Sequence, residues 1–210
     1  MSFATATNTL ILNKEDILFK GLARVGYRHP SIQNACVKID HFEYRPKHND
    51  TSREARYLRR IQWLRWQKKL DCFPGFYGFC QTNLGKGAVF ELIRDADTGE
   101  ISKSLETFGA QGIAKRFKLF ERAFDRLIQT LLSEGLLVCD PNPGNIAVQE
   151  LPGGKIRMVF IDGIGHHNFI PVVDLFKPLS RSKLQRIMKR ERFRKLFKLM
   201  ADARALSSEM

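Results

Sequence analysis

The sequence predicts an α+β fold in two lobes, a small β-rich lobe over residues 1–94 and a reduced, mainly helical lobe over 95–210. Short apolar runs separated by polar and glycine-containing turns fill the first part and indicate strands. A long stretch with helical periodicity dominates the second part. With 43% hydrophobic and 27% charged residues in 210, the composition is that of a globular protein and excludes global disorder.

The first lobe begins with apolar runs at residues 10–12, 17–19 and 35–39, which we interpret as strands. Gly21 and Gly26 lie between the second and third runs. Because glycine has no Cβ, a hairpin that contains it can approach phosphate groups through backbone N–H. No Gly-Lys-Ser/Thr follows, so this is not a Walker A loop, and a plain hairpin is the alternative.

Lys38 stands inside the apolar run Ala-Cys-Val-Lys-Ile, which is similar to the Val-Ala-Ile-Lys strand whose lysine holds nucleotide phosphates in kinases. A helix then begins near Thr51 and places Glu54 on its apolar face. From there the Glu54 carboxylate could reach Lys38. Two alternatives stay open, a solvent-facing Lys38 and a capping box in which Glu54 bonds only to Thr51.

The remaining elements are read from turns and periodicity. Two strands joined by a turn at 83–87 occupy residues 73–93, and a helix covers about 111–134 with Gly135 as its terminator. A last helix starts near residue 182.

Three polar residues, Asp140, Asn145 and Asp162, mark the stretch 136–165. A hairpin over 146–161 would bring Asp162 back beside Asn145. An aspartate and an asparagine oxygen are sufficient protein ligands for Mg²⁺, and a further carboxylate, Asp140, can receive the proton of an attacking hydroxyl. Together with Lys38, these residues predict a site for Mg²⁺ and ATP.

The order of these residues and several segments carry a family resemblance. The Lys38 strand, REARYLRR, FPGFYGF and DPNPGNIAV resemble the PhoP regulatory network protein YrbL family over most of residues 10–200. The loop from Asp140 is similar to that of aminoglycoside-phosphotransferase and lipopolysaccharide-kinase types. The resemblance implies a bilobal protein-kinase-like fold. It also implies roles for five residues: Asp140 as base, Asn145 and Asp162 on Mg²⁺, Lys38 on the phosphates and Glu54 as its partner.

Departures from the protein-kinase pattern define the expected acceptor. Val138 and Cys139 replace the His-Arg of His-Arg-Asp, and Gly163-Ile164 lacks the Phe of Asp-Phe-Gly. No Ala-Pro-Glu follows, and about 45 residues remain after this motif. We therefore expect a phosphotransferase that acts on a non-peptide hydroxyl, on a small molecule or one linked to lipid or saccharide.

Charge adds an expectation about partners. The net charge is +13, and residues 177–204 hold eleven Lys/Arg against two acidic residues. This basic C-terminal helix suits an anionic partner, such as a membrane surface, an acidic protein or RNA; a solvated helix face is the alternative. Two rival functions follow, a nucleotide-binding pseudokinase that engages such a partner and a basic RNA-binding protein without a nucleotide site.

The expected location is the cytoplasm. Four cysteines without a Cys-x-x-Cys motif suit a reducing compartment. The N-terminal stretch lacks the pattern of a secretory signal, and no window approaches the ~20 apolar residues of a transmembrane helix.

Overall fold

A computed structural model of the chain describes residues 9–21, 23–40, 50–64, 70–165 and 176–210. The predicted α+β class is confirmed, with seven strands and five α-helices in these ranges. The chain forms two compact units. The first comprises Met1–Arg59 and Gly75–Leu92, and the second comprises Arg60–Pro74 and Ile93–Met210.

The first unit is built on a five-stranded antiparallel sheet in the order β1-β2-β3-β5-β4. Its strands are β1 (Ile17–Lys20), β2 (Arg24–Arg28), β3 (Ala35–Asp40), β4 (Phe76–Thr82) and β5 (Gly85–Glu91). Gly26 lies in the middle of β2, a strand that the sequence did not predict.

Alternation along the strands gives this sheet two different faces. One face is an apolar cluster that includes Val25, Val37 and Val89. The other face carries charged side chains that meet Glu54 of helix α1 (Asp50–Leu64). Lys38 therefore points away from the apolar cluster formed by its neighbour Val37.

The second unit combines four helices with a two-stranded hairpin. Its elements are α2 (Leu105–Ala114), α3 (Phe117–Glu134), β6 (Ile146–Leu151), β7 (Lys155–Phe160), α4 (Lys177–Met188) and α5 (Glu191–Ser208). The predicted hairpin is confirmed, with Ile146 opposite Phe160 and Leu151 opposite Lys155. Helix α3 packs against β7 and buries Phe120, Phe124, Leu127 and Leu131.

The helix predicted over residues 111–134 is two helices. Ser104 caps α2 by accepting the Thr107 N–H, and non-helical dihedral angles at Arg116 (φ −132°, ψ 34°) separate α2 from α3. Gly135 ends α3 in the left-handed conformation (φ 64°), as its position in the sequence predicted.

The basic C-terminal segment, predicted as one helix from about residue 182, is also two helices. Helix α4 begins at Lys177 with a proline in its first turn, where a missing N–H costs no hydrogen bond. Extended backbone at Arg190 (φ −77°, ψ 159°) separates α4 from α5. None of the helices within the described ranges combines the length and apolar character that crossing a bilayer requires.

Candidate functional site

Lys38 lies in β3, a central strand, and is buried at 3% exposure. Its Nζ donates a 2.7 Å hydrogen bond to Oε1 of Glu54 and lies 4.5 Å from the ring centroid of Phe90. The solvent-facing alternative for Lys38 is therefore wrong. Phe90 itself is fully buried and belongs to the core.

Glu54 pairs with two cationic side chains and does not cap its own helix. Its second oxygen, Oε2, lies 3.0 Å from Nη1 of Arg24, and the carboxylate is buried. The Thr51 N–H donates instead to Oδ1 of Asp40, at 3.0 Å. The capping-box alternative is therefore not formed, and Glu54 faces the charged side of the sheet.

Arg24 is a member of this group that the sequence analysis missed. It stands opposite Asp40 in the register of β2 and β3, two positions from the pair Gly26 and Lys38. Residues paired in this way project to the same face of a sheet. Two buried cationic side chains, Lys38 and Arg24, thus share the buried carboxylate of Glu54.

The two predicted phosphate-binding glycines occupy different environments. Gly21 is exposed in the connection from β1 to β2, where its N–H donates to the Arg24 carbonyl at 2.9 Å. Gly26 is a buried strand position, and a Cβ added there would lie 2.0 Å from the ring of Phe19. The lack of a side chain at Gly26 thus makes room for Phe19, while a cofactor role for either glycine stays a prediction.

In the second unit, Asp140 is held by the segment that follows Asp162. The Cys139 N–H donates to the Gly163 carbonyl at 2.7 Å, and the Gly165 N–H donates to the Leu137 carbonyl at 2.8 Å. Gly163 has φ +69°, and a Cβ there would lie 2.7 Å from both Cβ and the carbonyl oxygen of Asp140. Only glycine permits this approach.

Asn145 joins the same group through its side chain. Its Nδ2 donates to the Asp140 carbonyl at 3.1 Å, which leaves Oδ1 as an oxygen ligand for a cation. The Ile161 N–H donates to the Asn145 carbonyl at 2.8 Å. Because Asp162 follows directly, the hairpin returns Asp162 to the end at which Asn145 lies, and Gly163 then contacts Asp140. An oxygen of Asp162 accepts the Gly163 N–H.

Asp140 also meets a residue that the sequence analysis did not single out. Oδ1 of Asp140 lies 3.0 Å from Nη1 of Arg192, in the first turn of α5. The side chains are 39% and 66% exposed, respectively. No local spacing pattern could reveal this pair, because its members are far apart in the sequence.

The donor set of the second unit fits Mg²⁺ rather than a softer metal. Asp162 and Asn145 offer hard oxygens, and Mg²⁺ prefers one or two carboxylates and keeps several waters. Across the described ranges no three His, Cys, Asp or Glu residues cluster as a metal site. A site here would therefore rest on the Asn145 amide oxygen as well as on carboxylates.

The sequence comparisons agree on one family. The model of the PhoP regulatory network protein YrbL family matches residues 10–201. Two relatives, each named uncharacterized protein YrbL, come from Escherichia coli (strain K12) and Shigella flexneri. Each is 25% identical over 180 residues, which is 85% of this chain and 84% of the relative. The chain belongs to the PhoP regulatory network protein YrbL family.

Proposed function

We propose that the chain has a protein-kinase-like fold and is a phosphotransferase that uses Mg-ATP to phosphorylate a non-peptide hydroxyl. The observation that carries this proposal is the grouping of Asp140, Asn145 and Asp162 around Gly163. The buried Lys38–Glu54 pair supports it, since a lysine fixed by a glutamate is the usual device for holding nucleotide phosphates in kinases.

Phosphoryl transfer needs groups that bind the nucleotide phosphates and groups that bind Mg²⁺ and the acceptor hydroxyl, and the chain supplies both. Lys38 would bind the phosphates, and Glu54 would orient its ammonium group through their 2.7 Å hydrogen bond. Asn145 and Asp162 would hold Mg²⁺, which neutralises charge on the phosphates when it is bound. Asp140 would orient the acceptor hydroxyl and receive its proton.

The chemistry around Asp140 supports a non-peptide acceptor. Protein kinases place an arginine directly before this aspartate. Here Cys139 takes that position, and its thiol donates to the Gly163 carbonyl at 3.2 Å. The side chain thus supports the loop and carries no charge with which to read a phosphorylated activation segment. The similarity of the Asp140 loop to aminoglycoside and lipopolysaccharide kinases points the same way.

Transfer of labelled γ-phosphate from ATP tests the proposal. The full chain would be incubated with Mg²⁺, labelled ATP and protein-free extracts separated into water-soluble and lipid fractions. We expect a labelled non-protein product that requires Mg²⁺ and falls about 10²–10⁴-fold with Asp140→Asn. Equal labelling by the wild type and Asp140→Asn would contradict the assigned role of Asp140.

A second candidate is a nucleotide-binding regulatory protein that engages an anionic partner. Four exposed cations, Lys189, Arg190, Arg194 and Lys198, form no ion pair within the described residues and favour this alternative. Binding of Mg-ATP without turnover would support it. Its partner binding should also weaken steeply with added salt.

A further inference from the structure

We propose that Arg192 anchors an anionic group, phosphate or carboxylate, on the acceptor whose hydroxyl meets Asp140. This inference rests on the proposed function, because it assigns the chemical class of the substrate at the same aspartate. Its starting point is the 3.0 Å contact between Nη1 of Arg192 and Oδ1 of Asp140.

Both side chains of the pair are partly exposed, so a ligand can contact each of them. Arg192 is 66% exposed, and a guanidinium has five N–H donors, so contact with one carboxylate oxygen leaves donors for another anion. Oδ2 of Asp140 has no hydrogen-bond or ion-pair partner among the described residues. One oxygen of Asp140 can thus receive a hydroxyl while Arg192 bridges the other to the ligand's anionic group.

The backbone that presents Arg192 is firmly packed. The next residue, Phe193, is fully buried, and Leu196 one turn later is buried as well. Arg204 further along α5 forms a 2.7 Å ion pair with Glu121 of α3. The position of Arg192 beside Asp140 is therefore set by the core of the second unit and needs no ligand to create it.

Local charge offsets the repulsion between Asp140 and an incoming anion. Residues 189–195 hold five Lys/Arg against one acidic residue, and Lys195 lies three residues after Arg192 on the surface of α5. Lys195 is 3.1 Å from Glu191, whereas Lys189 is exposed. A neutral acceptor would gain nothing from this surplus of positive charge.

The ion pair between Arg192 and Asp140 is not explained by a contribution to the stability of the fold. Exposed ion pairs contribute little to folding stability, and both partners here are more than one-third exposed. An arginine that contacts the proposed base is better explained by recognition, since guanidinium groups suit the planar geometry of carboxylate and phosphate.

Three matched hydroxyl compounds test this inference by binding alone: glycerol, glycerate and glycerol 3-phosphate. Each would be titrated into the full chain by calorimetry, without ATP turnover. The variants are Arg192→Gln, Arg192→Lys and, as control, Arg194→Gln. Arg194 has the same charge and is also exposed, but a spacing of two residues points it elsewhere on α5.

We expect the two anionic probes to bind the wild type and glycerol to bind at least tenfold more weakly. Arg192→Gln should weaken the anionic probes roughly 10- to 100-fold, the cost of a lost charged hydrogen bond. Arg194→Gln should change affinity less than about twofold. Arg192→Lys should recover part of the affinity, because lysine keeps the charge and loses the fork of donors. Thermal unfolding should be the same for all variants.

Three results would overturn the inference: equal losses for Arg192→Gln and Arg194→Gln, equal binding of glycerol, or no binding of either anionic probe at tens of millimolar. Vesicles of phosphatidylglycerol against phosphatidylcholine then separate the sources of the anionic group. Capture by phosphatidylglycerol that only Arg192→Gln reduces identifies a lipid headgroup. Equal capture of all variants rejects the lipid source.

A parallel titration of the wild type with Mg-ATP keeps the two proposals separate. If Mg-ATP binds but the affinity for the anionic probes does not change in the Arg192 variants, the inference about Arg192 fails and the proposed function stands. If Mg-ATP does not bind while the probes depend on Arg192, the proposed function fails. The anion site at Arg192 would then belong to a reaction other than phosphoryl transfer from ATP.

Discussion

Nζ of Lys38 lies 2.7 Å from Oε1 of Glu54, and both side chains are at most 3% exposed. Because Glu54 also lies 3.0 Å from Arg24, it is the carboxylate that two buried cations share. Glu54→Gln should therefore cost about 3–5 kcal/mol in the free energy of unfolding, measured by chemical denaturation. Lys38→Met should cost less, since Glu54 would keep Arg24.

A surface pair provides the control for that comparison. Arg116 and Glu150 are 2.6 Å apart, and their side chains are 41% and 39% exposed. Glu150→Gln should cost about 0–1 kcal/mol. Equal losses for Glu54→Gln and Glu150→Gln would contradict a buried Glu54 that holds two cationic side chains.

Gly163→Ala should disrupt the loop that holds Asp140. The positive φ alone costs about 1–2 kcal/mol, and overlap with Asp140 should add about 1–3 kcal/mol. Gly153→Ala is the matched control, because Gly153 has φ +74° and no atom within 4 Å of an added Cβ. Unfolding measurements should show a clearly larger loss at Gly163. Similar losses at both positions would contradict a close contact with Asp140.

Gly26 and Phe19 should be energetically coupled. Gly26→Ala forces a Cβ into the Phe19 ring and should cost about 1–3 kcal/mol. Phe19→Ala removes the obstacle, so the double variant should be more stable than the sum of the single losses predicts, by about 0.5–3 kcal/mol. Losses that add within ~0.5 kcal/mol would mean that Gly26 is present for another reason, such as phosphate contact.

Cys36 should make the stability depend on alkaline pH. Burial raises the pKa of its thiol from 9.0 to about 11. Between these values the unfolded chain loses a proton that the folded chain retains, so stability falls as pH rises, by up to about 2–3 kcal/mol in total. Below pH 9 this penalty vanishes.

Denaturation of the wild type and Cys36→Ala at pH 8 to 11 under reducing conditions would isolate this effect. The advantage of the wild type should shrink above pH 9, since alanine does not titrate. The other titrating groups, including Cys80, are common to both proteins. A difference that stays constant with pH would contradict a raised pKa at Cys36.

Local sequence patterns predicted several features that the structure has. Helical spacing placed Glu54 on the inward face of α1, where it meets Lys38. Two apolar runs around a Pro-Gly turn predicted the hairpin of β6 and β7, which brings Asn145 next to Ile161. Both features depend on periodicity or turn chemistry within a few residues, and membership of the family followed from motifs of the same length.

Features set by tertiary packing were missed. Arg24 meets Glu54 only through the register of β2, and Gly26, which the sequence analysis assigned to a glycine-containing hairpin, conceals the strand alternation of Val25 and Tyr27. Arg192 meets Asp140 because α5 packs in the second unit. The break between α4 and α5 at Arg190 was missed because it contains no proline or glycine, the residues that usually mark the end of a helix in a sequence. The division of the lobes at residue 94 stays a prediction.

Titration of the full chain with ATP, with and without Mg²⁺, tests the central claim most directly. We predict that ATP binds more tightly with Mg²⁺, that Lys38→Met weakens this binding and that Asp162→Asn removes its dependence on Mg²⁺. Calorimetry would report the stoichiometry and the effect of each variant. Absence of binding by the wild type at several millimolar Mg-ATP would contradict the account.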